Sequence, residues 1–352
     1  MHAIEKTAPR LVGGEPAGAA PETGQPEDPA ESKGSSRKIG RFVLRRLLLF
    51  IPTAIGAGFL TFLLVKIIPG GPAYARLGED ATPQAIAVVE KQLGLDRPFF
   101  EQFFSWLGRA VTGDLGESFQ TGQPVMDLVK NALPVTIELV LIGIVATVLI
   151  AIPIGVFTAK RAGRPSANFV KSVSGLGLAV PDFFLALLLI DLFAVWLGWF
   201  PRLGYPRFTE DPLGNLYHIV LPVVPMILGG SAIVIRQVSA AMIDALASDH
   251  TRTARAMGIP ERVVVWKYAF RAAMPTVLNV VALLALGMLG ATLIIEKIFV
   301  LPGMGGTLVN GIAVRDYTLI LGIVLIYVVI ALLVNLIVDI ISGIVNPATR
   351  GA

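Results

Sequence analysis

Six long apolar runs separated by polar segments organise this chain. They cover about Phe42–Ile68, Val135–Thr158, Val173–Trp199, His218–Ile235, Thr276–Val300 and Tyr317–Ile344. Each is near or above the roughly 20 residues that a helix needs to cross about 30 Å of hydrocarbon. Alternate polar segments are basic. Arg37, Lys38, Arg41, Arg45 and Arg46 surround the start of the first run. Lys160, Arg161, Arg164 and Lys171 follow the second, and Arg252, Arg255, Arg262, Lys267 and Arg271 lie between the fourth and fifth. Basic loops stay in the cytoplasm. The pattern predicts an all-α integral membrane protein with six transmembrane helices and both termini cytoplasmic.

The runs divide the rest of the chain. Residues 1–36 are rich in Pro, Gly, Ala, Glu and Ser and lack apolar periodicity. They cannot bury enough surface to offset chain entropy, so a disordered cytoplasmic tail is expected. Residues 37–68 then form the first transmembrane helix. The longest stretch between runs, 69–133, mixes polar and apolar positions and predicts two or three short helices on the outer face. Residues 134–345 make a five-helix core that includes a cytoplasmic loop at 241–275, and 346–352 form a short cytoplasmic tail.

Composition narrows the chemistry. Of 352 residues, 54% are hydrophobic and 15% charged, against about 25% charged in soluble domains. There is no cysteine, so disulfides, thiolate catalysis and thiolate metal sites are excluded. His2, His218 and His250 show no metal-ligand spacing, and no metal site is expected. The net charge of +4 reflects topology and gives no reason to expect nucleic acid as a partner. No Gly-Lys dipeptide occurs, hence no phosphate-binding Walker A loop.

Several membrane positions depart from plain apolar sequence. Asp182 and Asp191 fall inside the third run, after the small-residue stretch Gly175-x-Gly177-x-Ala179-x-Pro181. A carboxylate at bilayer depth costs about 3 kcal/mol, so each should face a partner, a cavity or water. They are candidates for the wall of a translocation path or for interhelical hydrogen bonds. Pro222, Pro225, Gly229 and Gly230 mark the fourth run as the least regular helix. Irregular backbone at this depth needs protein or a water-filled cavity around it, which places that helix, with Pro222 and Pro225, at the pore. Pro153 should kink the second helix. Glu138 lies near its outer end, within reach of water or headgroups. Gly287, Gly290 and Ala291 offer a face for close helix packing. Asn335 and Asp339, four apart, predict a hydrogen-bonded pair between helices near the cytoplasmic end.

The polar island Ser248–Pro275 carries helix punctuation. Ser248 or Asp249 can cap a first helix, Gly258 can end it in a left-handed conformation, and Pro260-Glu261 suits the first turn of a second. Within it, Ala254-x-x-x-Gly258 resembles the EAA loop of ABC-importer permeases. The wording Arg252-Thr253-Ala254-Arg255-Ala256-Met257-Gly258 is similar to the B-type subunit of the dipeptide/oligopeptide permease family, with Arg252-Thr253 where the general motif has Glu-Ala. Further phrases resemble the same family in the same order. They include Pro69-Gly70-Gly71-Pro72, Gly113-Asp114-Leu115-Gly116-Glu117-Ser118 and Leu133-Pro134-x-Thr136-x-Glu138-Leu139. The outer turn matches through Glu296, Phe299, Pro302, Gly303, Gly305, Arg315, Asp316 and Tyr317. The resemblance covers nearly everything from Arg41 onward.

This resemblance implies a type I ABC-importer permease fold and a subunit that is not itself an enzyme. It assigns ATPase coupling to Asp249, Arg252, Thr253, Ala254, Arg255, Met257, Gly258 and Glu261. It implies no directly bound cofactor, with ATP and Mg held by partner subunits. The implied partners are a second, C-type permease, two ATP-binding subunits on the cytoplasmic face, an external solute-binding protein, and membrane lipid; 69–133 is either the platform for the binding protein or a folded loop packed on the bundle. At the outer mouth, Glu296, Pro302, Gly303, Gly305, Arg315 and Asp316 form either a gate or a structural turn. The expected place is the bacterial plasma (inner) membrane. The family imports di- and oligopeptides, and related members take nickel, heme, glutathione or oligosaccharides. An ion-driven secondary transporter using Asp182, Asp191 or Glu138 is the rival reading, which the lack of an evident internal repeat opposes.

Overall fold

The computed structural model describes residues 29–67, 73–74, 77, 82–92 and 94–345. Apart from one isolated bridge between Glu117 and Pro124, regular structure among them is helical. Among the described residues five helices are long and apolar enough to cross a membrane, and a bent helix pair supplies a sixth crossing if counted as one span.

Helix α1 runs Pro29–Ile67. Residues 29–36 are thus helical instead of part of a disordered tail. Pro29 suits a helix start, and extending a nucleated helix costs little per residue. Residues 1–28, the Pro69–Pro72 stop and the 346–352 tail lie outside the described residues. Among the described residues of the segment after α1 are the short helices α2 (Pro83–Gln92) and α3 (Phe99–Val111). The apolar face of α3 buries Phe103 and Trp106 against Phe62 of α1.

Helix α4 spans Val125–Lys160, starting ten residues before the expected entry into the membrane. The third crossing departs most from expectation. It is two helices, α5 (Pro165–Ala179) and α6 (Asp182–Leu189, continued by a π turn through Trp196), bent by 90°. Pro181 causes the break. It disfavours helical geometry in the residue before it, and Val180 is extended at φ −95°, ψ 118°.

Helix α7, Pro212–Ala247, is a continuous α-helix. It is therefore not the least regular crossing, as its prolines and glycines suggested. Pro222 and Pro225 are buried in helix packing. Gly229 provides close approach instead of irregularity, because a Cβ there would overlap the Asp182 carboxylate.

A short helix, α8 (Asp249–Ala256), follows. The chain then re-enters as helix at Glu261–Val263, passes through a π turn at Val264–Ala269 and continues as α9, Phe270–Ile298. Pro275 sits inside α9 and separates nothing. Two further helices complete the described residues, α10 (Met304–Ala313) and α11 (Tyr317–Val345). The main core lies between α4, α7 and α9, centred on residues such as Leu139, Met226, Met242 and Met288. A second core near the outer end joins Leu115, Val125, Met304, Tyr317 and Ile323. At the opposite end Arg46 of α1 pairs with Asp339 of α11 at 3.0 Å. Asp339 thus bonds between helices as expected, with a cation of α1 as its partner, whereas Asn335 is exposed.

Candidate functional site: the cytoplasmic loop and the outer turn

Helix α8 is short and built to end sharply. Gly258 has φ +73°, a conformation that costs side chains about 1–2 kcal/mol. Its N–H donates to Arg255 O at 3.0 Å, and the Ile259 N–H donates to Ala254 O at 3.2 Å. This pair of bonds is the Schellman ending, which satisfies the last carbonyls of the helix. Pro260 then occupies the position before the next helix, with Glu261 as its first residue.

Arg255 locks the turn. Its Nε and Nη2 donate to the two Glu261 carboxylate oxygens at 3.1 and 3.0 Å, and its Nη1 donates to Leu246 O at 3.1 Å. One guanidinium therefore ties the end of α7, the last turn of α8 and the start of the following helix. The bond to Glu261 raises the Arg255 pKa further above its ordinary value. The inner face of α8 is anchored by buried Ala254 and by Thr251, whose Oγ1 donates to Ala245 O at 2.8 Å. Ser248 occupies the N-cap without capping, since its hydroxyl turns back to Ala245 O at 2.6 Å. The outer face carries Asp249, Arg252 and Met257. Met257 is 74% exposed, a large apolar side chain at the tip of a charged loop. Of the coupling residues read from the sequence, Arg255, Gly258 and Glu261 form one cluster, Ala254 supports it from beneath, and Met257 projects away.

The outer turn is a second assembly. Glu296, fully buried, accepts from Thr136 Oγ1 at 2.7 Å and from the Gly306 N–H at 3.0 Å. Thr136 Oγ1 also accepts from the Met304 N–H at 2.9 Å. The first amides of α10 thus face the Glu296 carboxyl, where a helix terminus favours negative charge. A Cβ at Gly303 would overlap that carboxyl, and one at Gly305 would lie 2.7 Å from the Leu293 backbone. Pro302 is exposed, and Val300 holds φ +52° beside it.

Asp316 and Arg315 lie apart from this cluster. Buried Asp316 accepts from Ser118 Oγ at 2.5 Å and from the Leu319 N–H at 3.1 Å. It therefore caps α11 and ties it to the outer segment. Arg315 is exposed at φ +55°. Thr136 and Ser118 stand inside longer sequence phrases that carry no local sign of their role. Their partners lie 160 and 198 residues away.

The membrane carboxylates do not converge. Asp182 packs at the α5–α6 break against Gly229. Asp191 is exposed in the π turn and lines a cavity with Arg202, Leu203 and Ile298. Glu138 accepts from the Tyr205 hydroxyl and, at 3.4 Å, from Asn215 Nδ2. Burial, followed by this bond to Glu138, pushes the Tyr205 phenol above its ordinary pKa. Glu138 is thus half-buried in a network instead of free in the headgroup layer. Among the described residues no group of three or more metal-ligating side chains comes together.

Comparison with known proteins places this architecture. Residues 151–351 match the family described as binding-protein-dependent transport system inner membrane component, and residues 39–140 match the N-terminal region of such membrane components. A Brucella abortus (strain 2308) chain that carries the name of a peptide transport system permease is 38% identical over 283 residues, 80% of this chain and 90% of that one. The glutathione transport system permease protein GsiC of Escherichia coli (strain K12) is 34% identical over 309 residues, 88% of this chain and 98% of that one. An inward-facing structure of the MetNI methionine ABC transporter superposes with a TM-score of 0.53 at 18% identity, covering 64% of this chain and 99% of that chain. The helical fold is that of a type I ABC-importer permease, and the chain belongs to the binding-protein-dependent transport system inner membrane component family.

Proposed function

We propose that this chain forms half of the translocation pore of an ATP-driven importer for di- and oligopeptides. The observation that carries the reading is the cytoplasmic loop. It is rigid where Arg255 and Glu261 clamp it and presents exposed Met257 at its tip. Rigidity and an apolar projection are what a lever needs when it seats in another protein. The chain carries no Walker A loop, so two ATP-binding subunits beneath the membrane supply hydrolysis and hold ATP and Mg. Their closure moves the loop. The π turn Val264–Ala269 joins that loop without interruption to α9, so the displacement enters the membrane directly.

The other half of the pore is a related permease. Helix α9 exposes Leu283 and Ile294, and among the described residues no atom beyond the helix's own backbone lies within 4 Å of a Cβ built at Gly287 or Gly290. The small-residue face expected to pack inside this chain is open, and the second permease covers it. Peptide as the solute follows the names of the relatives, and glutathione is itself a tripeptide. Solute reaches the outer face on a binding protein that docks over α2 and α3. Asp182 and Asp191 are the carboxylates available to the path, and the Glu296 turn shapes its outer mouth. The loops with Arg255 and Lys160 face the cytoplasm of a bacterial inner membrane.

The test is a mild-detergent purification of the tagged chain, with mass spectrometry of its companions and uptake assays in vesicles. A second permease, ATP-binding subunits and ATP-dependent peptide uptake are expected. Uptake that persists without ATP while a membrane potential is held would overturn the reading in favour of an ion-driven transporter.

A further inference from the structure

A cavity of about 680 Å³ opens on the outer face, between α2, α3 and the outer ends of α1 and α11. Sites for small molecules occupy roughly 300–1,000 Å³. Trp106 lines it, is 7% exposed, and its buried indole N–H meets no acceptor. An unpaired buried donor costs about 1–3 kcal/mol, and an acceptor placed in the cavity offsets that cost.

The charged lining divides by origin. Lys91 and Arg109 come from the last turns of α2 and α3, while Asp114 and Glu117 come from the turn after α3. Lys91, Arg109 and Glu117 have no side-chain hydrogen bond or ion pair among the described residues. Arg97, the remaining cation, is engaged by Glu101 at 3.2 Å. Two free cations and the free Glu117 carboxylate thus line one cavity without neutralising each other, while Asp114 accepts from the Gly116 N–H at 2.9 Å through one oxygen. Tyr317 and Leu321 add apolar wall.

We propose that this cavity binds a short zwitterionic peptide on the outer face of the permease. Its carboxylate meets the Trp106 N–H together with Lys91 and Arg109, and its ammonium meets Asp114 and Glu117. The site is separate from Asp182 and Asp191 in the membrane and receives solute before it enters the path. The inference rests on the peptide reading given above.

The test uses the full chain in lipid nanodiscs, without a binding protein. Dialanine and reduced glutathione are titrated by calorimetry. Saturable binding is expected, weakened about tenfold by Trp106→Phe and by Arg109→Gln, the loss of one charge-assisted hydrogen bond. Lys91→Gln, at an exposed side chain, provides a variant that does not threaten folding and should weaken binding in the same direction. Dialanine blocked at both termini should not bind. Absence of saturable binding, or equal affinity in all three variants, would overturn the site. Equal affinity for N-acetyl-dialanine would overturn the zwitterion assignment. Uptake of the same peptides by the complete importer separates the two ideas. Uptake without binding to the isolated chain overturns the site alone, whereas neither uptake nor binding overturns the peptide reading with it.

Discussion

Arg255 and Glu261 face each other across the Gly258 turn in a two-pronged ion pair, at 3.1 and 3.0 Å. Both side chains remain substantially exposed, at 39% and 52%, so the pair adds little to global stability. Its value is geometric. Arg255→Glu should leave membrane insertion and yield unchanged while transport per ATP hydrolysed falls about fivefold or more, the lower end of ordinary coupling energies. The reversed pair, Arg255→Glu with Glu261→Arg, should recover part of the loss. Reconstituted importer assayed for both hydrolysis and uptake checks this. Normal coupling in the single variant would remove the loop from the mechanism.

Gly258 is required for its backbone and not for room, since no atom lies within 4 Å of a Cβ built there. Gly258→Ala should therefore strain the turn by about 1 kcal/mol, and Gly258→Asn by less, because Asn tolerates φ > 0. Faster tryptic cleavage at Arg252, Arg255 and Arg262 in Gly258→Ala would report the loosened loop. Identical cleavage rates in both variants and the parent would contradict this reading of the turn.

These two features show what was readable in the chain. A Schellman ending is encoded within six residues, so Gly258, Pro260 and Glu261 could be placed from sequence. The apolar runs likewise identified the crossings. The outer turn was only half legible. Its glycines announced a tight passage, but Thr136 and Ser118 find Glu296 and Asp316 far along the chain, and no local pattern encodes such pairing. Prolines misled in the fourth run. Pro222 and Pro225 suggested broken backbone, whereas close packing against α4 and α9 holds α7 straight enough to remain one helix. The actual break came at Pro181, where the preceding Val180 is extended.

Glu296 should behave as a structural anchor. Glu296→Ala leaves the Gly306 N–H and the Thr136 hydroxyl without their acceptor, at about 1–3 kcal/mol for each buried group. Glu296→Gln keeps the volume and an acceptor oxygen, so its loss should be smaller. Gly305→Ala has no such intermediate, because its new methyl meets the Leu293 backbone, which cannot rotate away. The expected order of melting temperature in detergent is parent, Glu296→Gln, Glu296→Ala, with Gly305→Ala giving little folded protein. Glu296→Ala that melts with the parent but transports differently would instead mark the turn as a gate.

Asp316 holds the outer segment to α11 through Ser118. Ser118→Ala removes the shorter of the two contacts, leaving the Gln120 N–H on Asp316 at 3.4 Å, and keeps the Asp316 cap on the Leu319 N–H at 3.1 Å. A hydrogen bond to a charged group is worth about 1.5–3 kcal/mol, so the outer segment should open more readily than the membrane core. Hydrogen exchange should rise in residues 112–124 and stay unchanged in α7. Uniform acceleration across both regions would mean that the tether supports the whole fold.

Gly287 and Gly290 provide the test that separates folding from assembly. In most crossings, a large side chain at a small-residue position would damage the helix packing of the chain itself. Here, among the described residues and apart from the helix's own backbone, nothing lies within 4 Å of a Cβ at either glycine, although Leu283 and Ile294 on the same helix are exposed. Gly287→Leu should then insert, fold and melt like the parent when the chain is purified alone. In cells that also express the second permease, the same side chain would hold two helices apart where close approach is needed. Co-purification of that permease should fall about tenfold, which corresponds to about 1.4 kcal/mol. Gly56→Leu, at another glycine with open space around it but on α1, serves as the control for added bulk on a membrane surface. If Gly287→Leu lowers the melting temperature of the isolated chain, the stripe belongs to internal packing. If it leaves both stability and co-purification untouched, the second permease seats on another face of the molecule.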